Sequence, residues 1–103
     1  METMDLQSLT DAMNRFVSAQ GWYEKDSPRP QTVRNLAISL TIEATEVLEH
    51  FQWGEDLHDP QSLASELADV ALYLLQLASV CDINLGKAIL DKLDDNYTRI
   101  WDE

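Results

Sequence analysis

The amino-acid sequence predicts an all-α protein, with a four-helix bundle-like protomer. Glycine is scarce, with only 3 in 103 residues, and no segment alternates apolar and polar residues as a half-buried strand would. Apolar residues instead recur three and four positions apart, which is the spacing of one helix face. The chain shows no internal repeat and no low-complexity tract, and its length suits a single domain over residues 1–103.

The first helix is predicted from about Leu6 to Gln20. Gly21 is well placed to end it in a left-handed conformation. The segment "WYEKDSPRPQ" follows, and its two prolines and mixed charges indicate a loop. The apolar stripe of this helix consists of Leu6, Leu9, Met13, Phe16 and Val17.

The second helix should begin within residues 31–34 and end near Gln52, where Gly54 is a plausible stop signal. The dipeptide Asp59-Pro60 places an N-cap acid before a proline, so a third helix should begin there and run to about Val80. Both central helices are apolar on most faces. This predicts central burial, an oligomer interface, or both.

The fourth helix follows the turn "CDIN" and should reach about Ile100. Either Asp82 or Asn84 could cap its start. Its apolar side would consist of Ile83, Ala88, Ile89, Leu93 and Tyr97.

The net charge of -12 argues against several classes of partner. So acidic a surface should repel nucleic acid polymers and anionic lipid. If the protein handles a phosphate compound, a divalent cation would have to neutralise charge, and oxygen ligands suit magnesium.

The single cysteine and the N-terminus indicate a cytoplasmic protein. Cys81 cannot form an internal disulfide, and because it follows an apolar run we expect a small buried hydrophobe there. The first ten residues lack the basic and apolar regions of a signal peptide. The apolar run at 63–78 is short for a membrane span and contains two acids, which argues against a transmembrane helix.

Two polar stripes lie on the apolar central helices. In "LASELADVALYLLQLA", residues 63–78, the polar or amphipathic members follow a three-four-three spacing and share one face. They are Glu66, Asp69, Tyr73 and Gln76. The second helix repeats this design at a four-three-four-three spacing with Ser39, Glu43, Glu46, His50 and Trp53.

If the two stripes face each other, four carboxylates converge: Glu43, Glu46, Glu66 and Asp69. Close negative charges in a low-dielectric interior either take up protons or bind a metal. Oxygen-only ligands favour magnesium or manganese over zinc. A single acidic pair on a helix is usually a solvated face, but two pairs on otherwise apolar helices favour a metal site. His50 could ligate the metal directly, or it could act as a cap or as an outer contact.

Several other side chains are candidates for binding a phosphorylated ligand. On the fourth helix a spacing of four and three places Lys92, Asn96 and Arg99 on one face. That face could clamp phosphate oxygens, with Arg34 adding to it, or could be a solvated face with helix-stabilising ion pairs. The aromatic residues Trp22, Trp53 and Tyr73 could stack on a base or could belong to the core.

Competing chemistries have less support. Glu55 and His58 form one E-x-x-H, the spacing of di-iron carboxylate bundles, but two helical copies are needed and this one lies in a predicted loop. No Ser, Cys and His arrangement suggests covalent catalysis. The chain has no glycine-rich phosphate loop and no C-x-x-C.

The segments "IEATEVLEHFQW", "LASELADVALYLLQLA" and "KLDDN" resemble the MazG-like all-α nucleoside triphosphate pyrophosphohydrolases, in particular the small single-domain branch similar to dCTP pyrophosphatases. The resemblance covers about residues 22–99. The paired motif E-x-x-E and E-x-x-D is the metal-binding signature of that family. One departure is the segment "YEKDSPRPQTVRNL", which replaces a shorter "FH-x-P-x-NL" and lacks its histidine, so the base preference is left open.

The resemblance implies a helical homodimer or homotetramer and magnesium-dependent hydrolysis of a nucleoside triphosphate to the monophosphate and pyrophosphate, with manganese as a possible substitute. By motif, the metal ligands would be Glu43, Glu46, Glu66 and Asp69. Trp53, Tyr73 and Asn96 match positions that line the nucleotide pocket. Lys92 matches a position near the phosphates, and Trp22 an aromatic residue that stacks on the base.

The expected mechanism is direct attack of water on the α-phosphorus, with either Glu43 or Glu46 orienting the water or accepting its proton. Lys92 and Arg34 would steady the phosphate chain. The expected role is housekeeping of the dNTP pool. The alternative is a non-catalytic helical dimer that acts as a nucleotide sensor or as a protein-interaction module.

Overall fold

The structure is a computed structural model that describes residues 4–100. It contains α1 (Leu6–Ala19), α2 (Val33–Glu49), α3 (Pro60–Val80) and α4 (Leu85–Thr98), and the described residues form no strand. The predicted all-α class with four helices is therefore confirmed.

Each helix begins at a side chain that accepts a hydrogen bond from the backbone N–H three residues later. Two of these residues are Asp59, which bonds Ser62 before α3, and Asn84, which bonds Lys87 before α4. Asn84 is therefore the cap of α4, while Asp82 adopts a left-handed backbone with a φ of 55°. Such caps satisfy N–H groups that have no partner within the helix. The N-caps of α1 and α2 are Asp5 and Thr32.

The ends of α1 and α2 differ in how well the sequence predicted them. Gly21 follows α1 with a φ of 75°, as expected of a left-handed residue after a helix. The predicted end of α2 near Gln52 is wrong, because the helix ends at Glu49. The N–H of Phe51 bonds the carbonyl of Leu48 at 2.9 Å, three residues back. The chain thus tightens into turns before it reaches Gly54.

The core lies where α3 packs between α2 and α1. Met13, Val17 and Leu75 are buried together, and Trp22 and Leu85 pack against them. Trp22 also meets Phe16 edge-on, with 5.6 Å between the ring centroids. The long α2–α3 contact brings the two polar stripes to one interface.

Helix α4 contributes little to this core. It has no buried residue among those described, and Ile89, Leu90, Leu93 and Tyr97 are exposed. The radius of gyration is 16.2 Å, whereas a compact domain of this length would have about 13 Å. The protomer is therefore extended and leaves an apolar surface uncovered.

Two expectations about α3 and its end need correction. Cys81 is exposed, because it lies in the turn after α3 and not within the apolar run. The predicted bounds of α3 are confirmed, but its 21 residues are long and apolar enough to cross a membrane by length and composition, so the expectation that the apolar run is too short for a span is wrong. The core helix of a soluble protein passes the same test, and Glu66 and Asp69 remain expensive in a bilayer.

Candidate metal centre and adjoining cleft

Three carboxylates converge where α2 packs on α3. One oxygen from each of Glu43, Glu46 and Glu66 lies within 4.8 Å of the other two, and all three side chains are half-buried. Glu43 and Glu46 are close because residues three apart share a helix face. Glu66 joins them only because α3 presents its own polar stripe to α2. The predicted meeting of the two stripes is therefore observed.

The cluster favours protonation when no cation is present. Burial raises the pKa of Glu43, and a hydrogen bond with Glu46 and the charges of Glu46, Asp69 and Glu66 add to the effect. The pKa of Glu66 is also raised, chiefly by its hydrogen bond with Glu46 and then by burial. These raised pKa values show that the negative charges of the cluster are not fully balanced by nearby positive charge.

Asp69 stands slightly apart from this group. It does not belong to the set of three close oxygens, although its charge raises the pKa of both Glu43 and Glu66. The structure therefore brings three of the four expected ligands together, with the fourth near enough to act on them electrostatically. Direct ligation by Asp69 stays a prediction.

The residues present fit a hard divalent cation. The donors are all carboxylate oxygens, and the buried Oε2 atom of Glu43 has no hydrogen-bond partner among the described residues. A cation there would neutralise the crowded charges and satisfy that oxygen. His50 follows the last residue of α2 and its charge lowers the pKa of Glu66, so it lies at the edge of the cluster.

A cleft of about 290 Å³ is lined by α2, α3 and the loop before α2, and none of the four carboxylates lies on its wall. Ser39 lies one turn before Glu43 on α2, and Tyr73 lies one turn after Asp69 on α3, so its wall begins about 6 Å along the helices from the acids. Besides backbone and apolar surface, the lining offers indole, phenol, guanidinium and amide groups. It consists of Trp22, Pro28, Arg29, Pro30, Gln31, Asn35, Leu36, Ser39, Tyr73 and Gln76.

Two of the predicted substrate-binding residues, Trp22 and Tyr73, lie on this cleft. The Trp22 ring also carries the guanidinium of Arg29, which lies 5.2 Å from its centroid. Such a contact stabilises a cation over an aromatic face. The sequence did not single out Arg29 or Gln31, since neither belongs to a helical pattern. Only their position in a proline-containing loop beside Trp22 could have drawn attention to them.

The other predicted substrate-binding residues lie elsewhere in this protomer. Trp53 is 92% exposed in the turns after α2, and Arg34 is exposed in the first turn of α2. Lys92 and Asn96 line a separate shallow groove on α4. None of the four lies on the wall of the cleft. On α4, Asp91 forms an ion pair with Lys87 at 2.6 Å.

Comparison with known proteins relates this fold and site to a family. The dCTP pyrophosphatase 1 of Rattus norvegicus is 34% identical over 93 residues, covering 82% of this chain and 52% of the relative. The protein of the same name from Homo sapiens is 36% identical over the same shares. The chain thus spans about half the length of the curated relatives it matches. No family model matches the chain.

A solved structure matches over nearly its full length. The crystal structure of a pyrophosphatase from Archaeoglobus fulgidus has a TM-score of 0.76 and 32% sequence identity, and the match covers 93% of this chain and 92% of that one. The chain belongs to the MazG-like all-α nucleoside triphosphate pyrophosphohydrolases. The family expected from the sequence motifs is therefore confirmed.

Proposed function

We propose that this protein hydrolyses a nucleoside triphosphate, chiefly a deoxynucleoside triphosphate, to the monophosphate and pyrophosphate. The observation that carries the proposal is the position of the cluster of Glu43, Glu46 and Glu66 beside a cleft with two aromatic walls. The names of the matched relatives, which are a pyrophosphatase and dCTP pyrophosphatases, support this reaction class. Housekeeping of the dNTP pool is the role that fits it.

Magnesium is the proposed cofactor, with manganese as a substitute. Glu43, Glu46 and Glu66 would hold it, with Asp69 as a fourth ligand or as a nearby charge. When bound, the cation supplies neutralisation of phosphate charge and a lower pKa for a coordinated water. Carboxylate oxygens without sulfur or nitrogen donors are the ligand set that magnesium prefers.

The side chains of the chain itself would position the reactants. Either Glu43 or Glu46 accepts the proton of the water whose oxygen attacks the α-phosphorus, and the bond to the bridging oxygen of the β-phosphate breaks. Trp22 and Tyr73 sandwich or flank the base in the cleft. A base beside Tyr73 would lie about one helical turn beyond Asp69 and about two beyond Glu66.

A second copy of the chain is the proposed partner. Lys92, Asn96 and Trp53, which the family motif places near the nucleotide, lie outside the cleft of one protomer. The apolar side of α4 is exposed beside Lys92. Pairing of two protomers through α4 would cover this surface and could carry those side chains to a neighbouring cleft, in a homodimer or a homotetramer.

Pyrophosphate release tests the activity. The purified chain is incubated with each of the four dNTPs and the four NTPs, with magnesium and with EDTA, and both products are quantified. We expect equimolar monophosphate and pyrophosphate only when magnesium is present. Binding without release would favour the nucleotide sensor, and the absence of both binding and release would favour a protein-interaction module.

Light scattering after size-exclusion chromatography tests whether the protein assembles with further copies of itself. One chain has a mass of 11.7 kDa, so a dimer or tetramer would give two or four times that value. Leu93→Asp on the exposed side of α4 should release monomers, whereas Leu57→Asp in the loop before α3 should not. A monomeric wild-type protein at the concentrations used for the activity assay would exclude the proposed assembly.

A further inference from the structure

Gln76 is unusual in this protein because it is a buried polar side chain. It is 4% exposed, and it is the only polar residue classed as buried between residues 4 and 100. Its position also matters, since it lines the cleft and lies seven residues beyond Asp69 on the same face of α3. Seven residues correspond to about 10 Å along the helix. If the phosphates of a nucleotide bind at the carboxylates, its base would reach about this distance along the helix and come close to Gln76.

A chain of hydrogen bonds determines which end of the Gln76 amide faces the loop. The Nε2 group of Gln31 donates to the backbone carbonyl of Arg29 at 2.6 Å, and a carbonyl can only accept. Gln31 therefore turns its Oε1 atom toward α3. That oxygen accepts a 2.6 Å hydrogen bond from the Nε2 group of Gln76. The Arg29 carbonyl thus fixes the orientation of the Gln31 amide, and the Gln31 amide in turn fixes that of the Gln76 amide in the cleft.

Tyr23 lies close to the Gln76 amide and is hydrogen-bonded to α1. The hydroxyl of Tyr23 donates to Oδ1 of Asn14 at 2.6 Å, and Nδ2 of Asn14 donates to the hydroxyl of Ser79 at 3.0 Å. With its proton committed, the Tyr23 oxygen is an acceptor. Burial raises the pKa of Tyr23, while a hydrogen bond from Gln76 opposes that rise, as a donor to the phenol oxygen must.

The hydrogen bond to Gln31 uses the nitrogen of the Gln76 amide. The oxygen and nitrogen of a primary amide point in different directions, so the Oε1 atom of Gln76 faces away from Gln31. The group that Gln76 can offer to a ligand in the cleft is therefore its carbonyl oxygen, which is an acceptor. Rotation of the amide by 180° would place that oxygen against the Oε1 acceptor of Gln31, so the orientation is held.

We propose that Gln76, oriented by Gln31, is a specificity-determining residue whose Oε1 atom accepts a hydrogen bond from the exocyclic amino group of the base. The inference rests on the proposed nucleotide hydrolysis. It predicts that a base with an amino group at the ring position facing Gln76 is favoured over the same base with a keto oxygen there. The keto oxygen would meet a second acceptor in a buried place, with no hydrogen between them.

Two pairs of nucleotides test this difference. dCTP and dUTP differ by an amino or keto group at one pyrimidine position and by a proton on the adjacent ring nitrogen, and dATP and dITP differ in the same way on a purine. The measurement is kcat/KM for all four. In the pair whose ring the cleft accommodates, we expect the wild-type protein to prefer the amino member by about tenfold to a hundredfold.

Substitutions at the amide pair test its role. Gln76→Met retains the size of the side chain without its amide and should bring the amino-to-keto ratio close to one. Gln31→Ala, in the loop, leaves Gln76 in place but frees its orientation, so the ratio should fall partway. Gln61→Met is the matched control, an exposed glutamine on the same helix, and should leave the ratio unchanged.

The amino-to-keto ratio of kcat/KM distinguishes a role of Gln76 in base recognition from a role in folding. A purely structural role for Gln76 would lower kcat/KM for both members of a pair equally, and that result would overturn the inference while leaving the hydrolytic function intact. Equal use of the amino and keto members by the wild-type protein would also overturn it. If the wild-type protein hydrolyses none of the four, the proposed function and this inference both fail.

Discussion

One carboxylate oxygen of Glu46 on α2 and one of Glu66 on α3 lie within 4.8 Å of each other across the helix interface, 20 positions apart in the chain. Two carboxylates this close resist being charged together, so uptake of a proton or binding of a cation stabilises the pair. In the absence of a cation, the protein therefore joins its two longest helices through groups that repel each other when both are charged. Positive charge added between these two carboxylates would relieve their repulsion.

Removal of a single carboxylate of the cluster should abolish both metal binding and hydrolysis. For Glu66→Gln we expect the loss of activity to exceed the roughly 10- to 100-fold typical of residues outside the ligand shell. The magnesium-induced rise in melting temperature should disappear as well, because a cation stabilises only the state that binds it.

The matched control for this change is Glu49→Gln, which removes an exposed carboxylate from α2 outside the cluster. It should retain both the activity and the magnesium-induced stabilisation. Unchanged magnesium binding in Glu66→Gln, measured by calorimetry, would exclude the cluster as the metal site.

The metal-free protein should lose stability as the pH rises above the ordinary range for carboxyl groups. The pKa values of Glu43 and Glu66 are raised in the folded state, so the folded protein binds more protons than the unfolded chain. Stability gained from these protons is present at low pH and is lost as the pH rises through the folded-state pKa values. Melting curves in EDTA across that range measure the effect.

Protonation of acidic residues outside the cluster also relieves repulsion, so the pH dependence of the wild-type protein must be compared with that of a cluster variant. In EDTA at neutral pH, Glu43→Gln should melt at a higher temperature than the wild-type protein and should show a smaller pH dependence. The opposite change, a lower melting temperature for Glu43→Gln without metal, would contradict the crowding of charge at the cluster.

The N-cap of α3 should contribute measurably to stability. Asp59 accepts hydrogen bonds from the backbone N–H of Ser62 at 3.1 Å and from its hydroxyl at 2.8 Å, and these bonds lower its pKa. Asp59→Ala should cost about 1 kcal/mol, which corresponds to about 4–8 °C in melting temperature for a domain of this size. Asp56→Ala, in the exposed loop nearby, should change the melting temperature little.

Gly21 and Gly54 provide a matched test of backbone conformation. An added Cβ would meet no atom within 4 Å at either position, but only Gly21 has a left-handed backbone, with a φ of 75°. Gly21→Ala should therefore destabilise the protein by about 1–2 kcal/mol. Gly54→Ala should be neutral or slightly stabilising, because it reduces the entropy of the unfolded chain. Chemical denaturation of the three proteins measures the difference.

The sequence predicted the site best where a helix face carried the signal. Glu43 and Glu46 share a face because they are three residues apart, and Glu66 belongs to a stripe of the same kind, so their meeting required only that α2 and α3 pack together. The amide pair of Gln31 and Gln76 could not be predicted in this way. Its two residues are 45 positions apart, and one lies in a loop whose path has no periodicity.

The amino-acid sequence by itself determined the four helices, most of their ends and the carboxylate stripes, because spacing, capping and proline effects act within a few residues of the chain. Only the tertiary structure decided that three carboxylates form the tight group while Asp69 acts from nearby, and that α2 ends at Glu49. It also decided that α4 leaves its apolar side exposed and that Gln76 is buried in the cleft. These outcomes depend on the angle and depth at which separate helices meet, and no local pattern in the sequence encodes them.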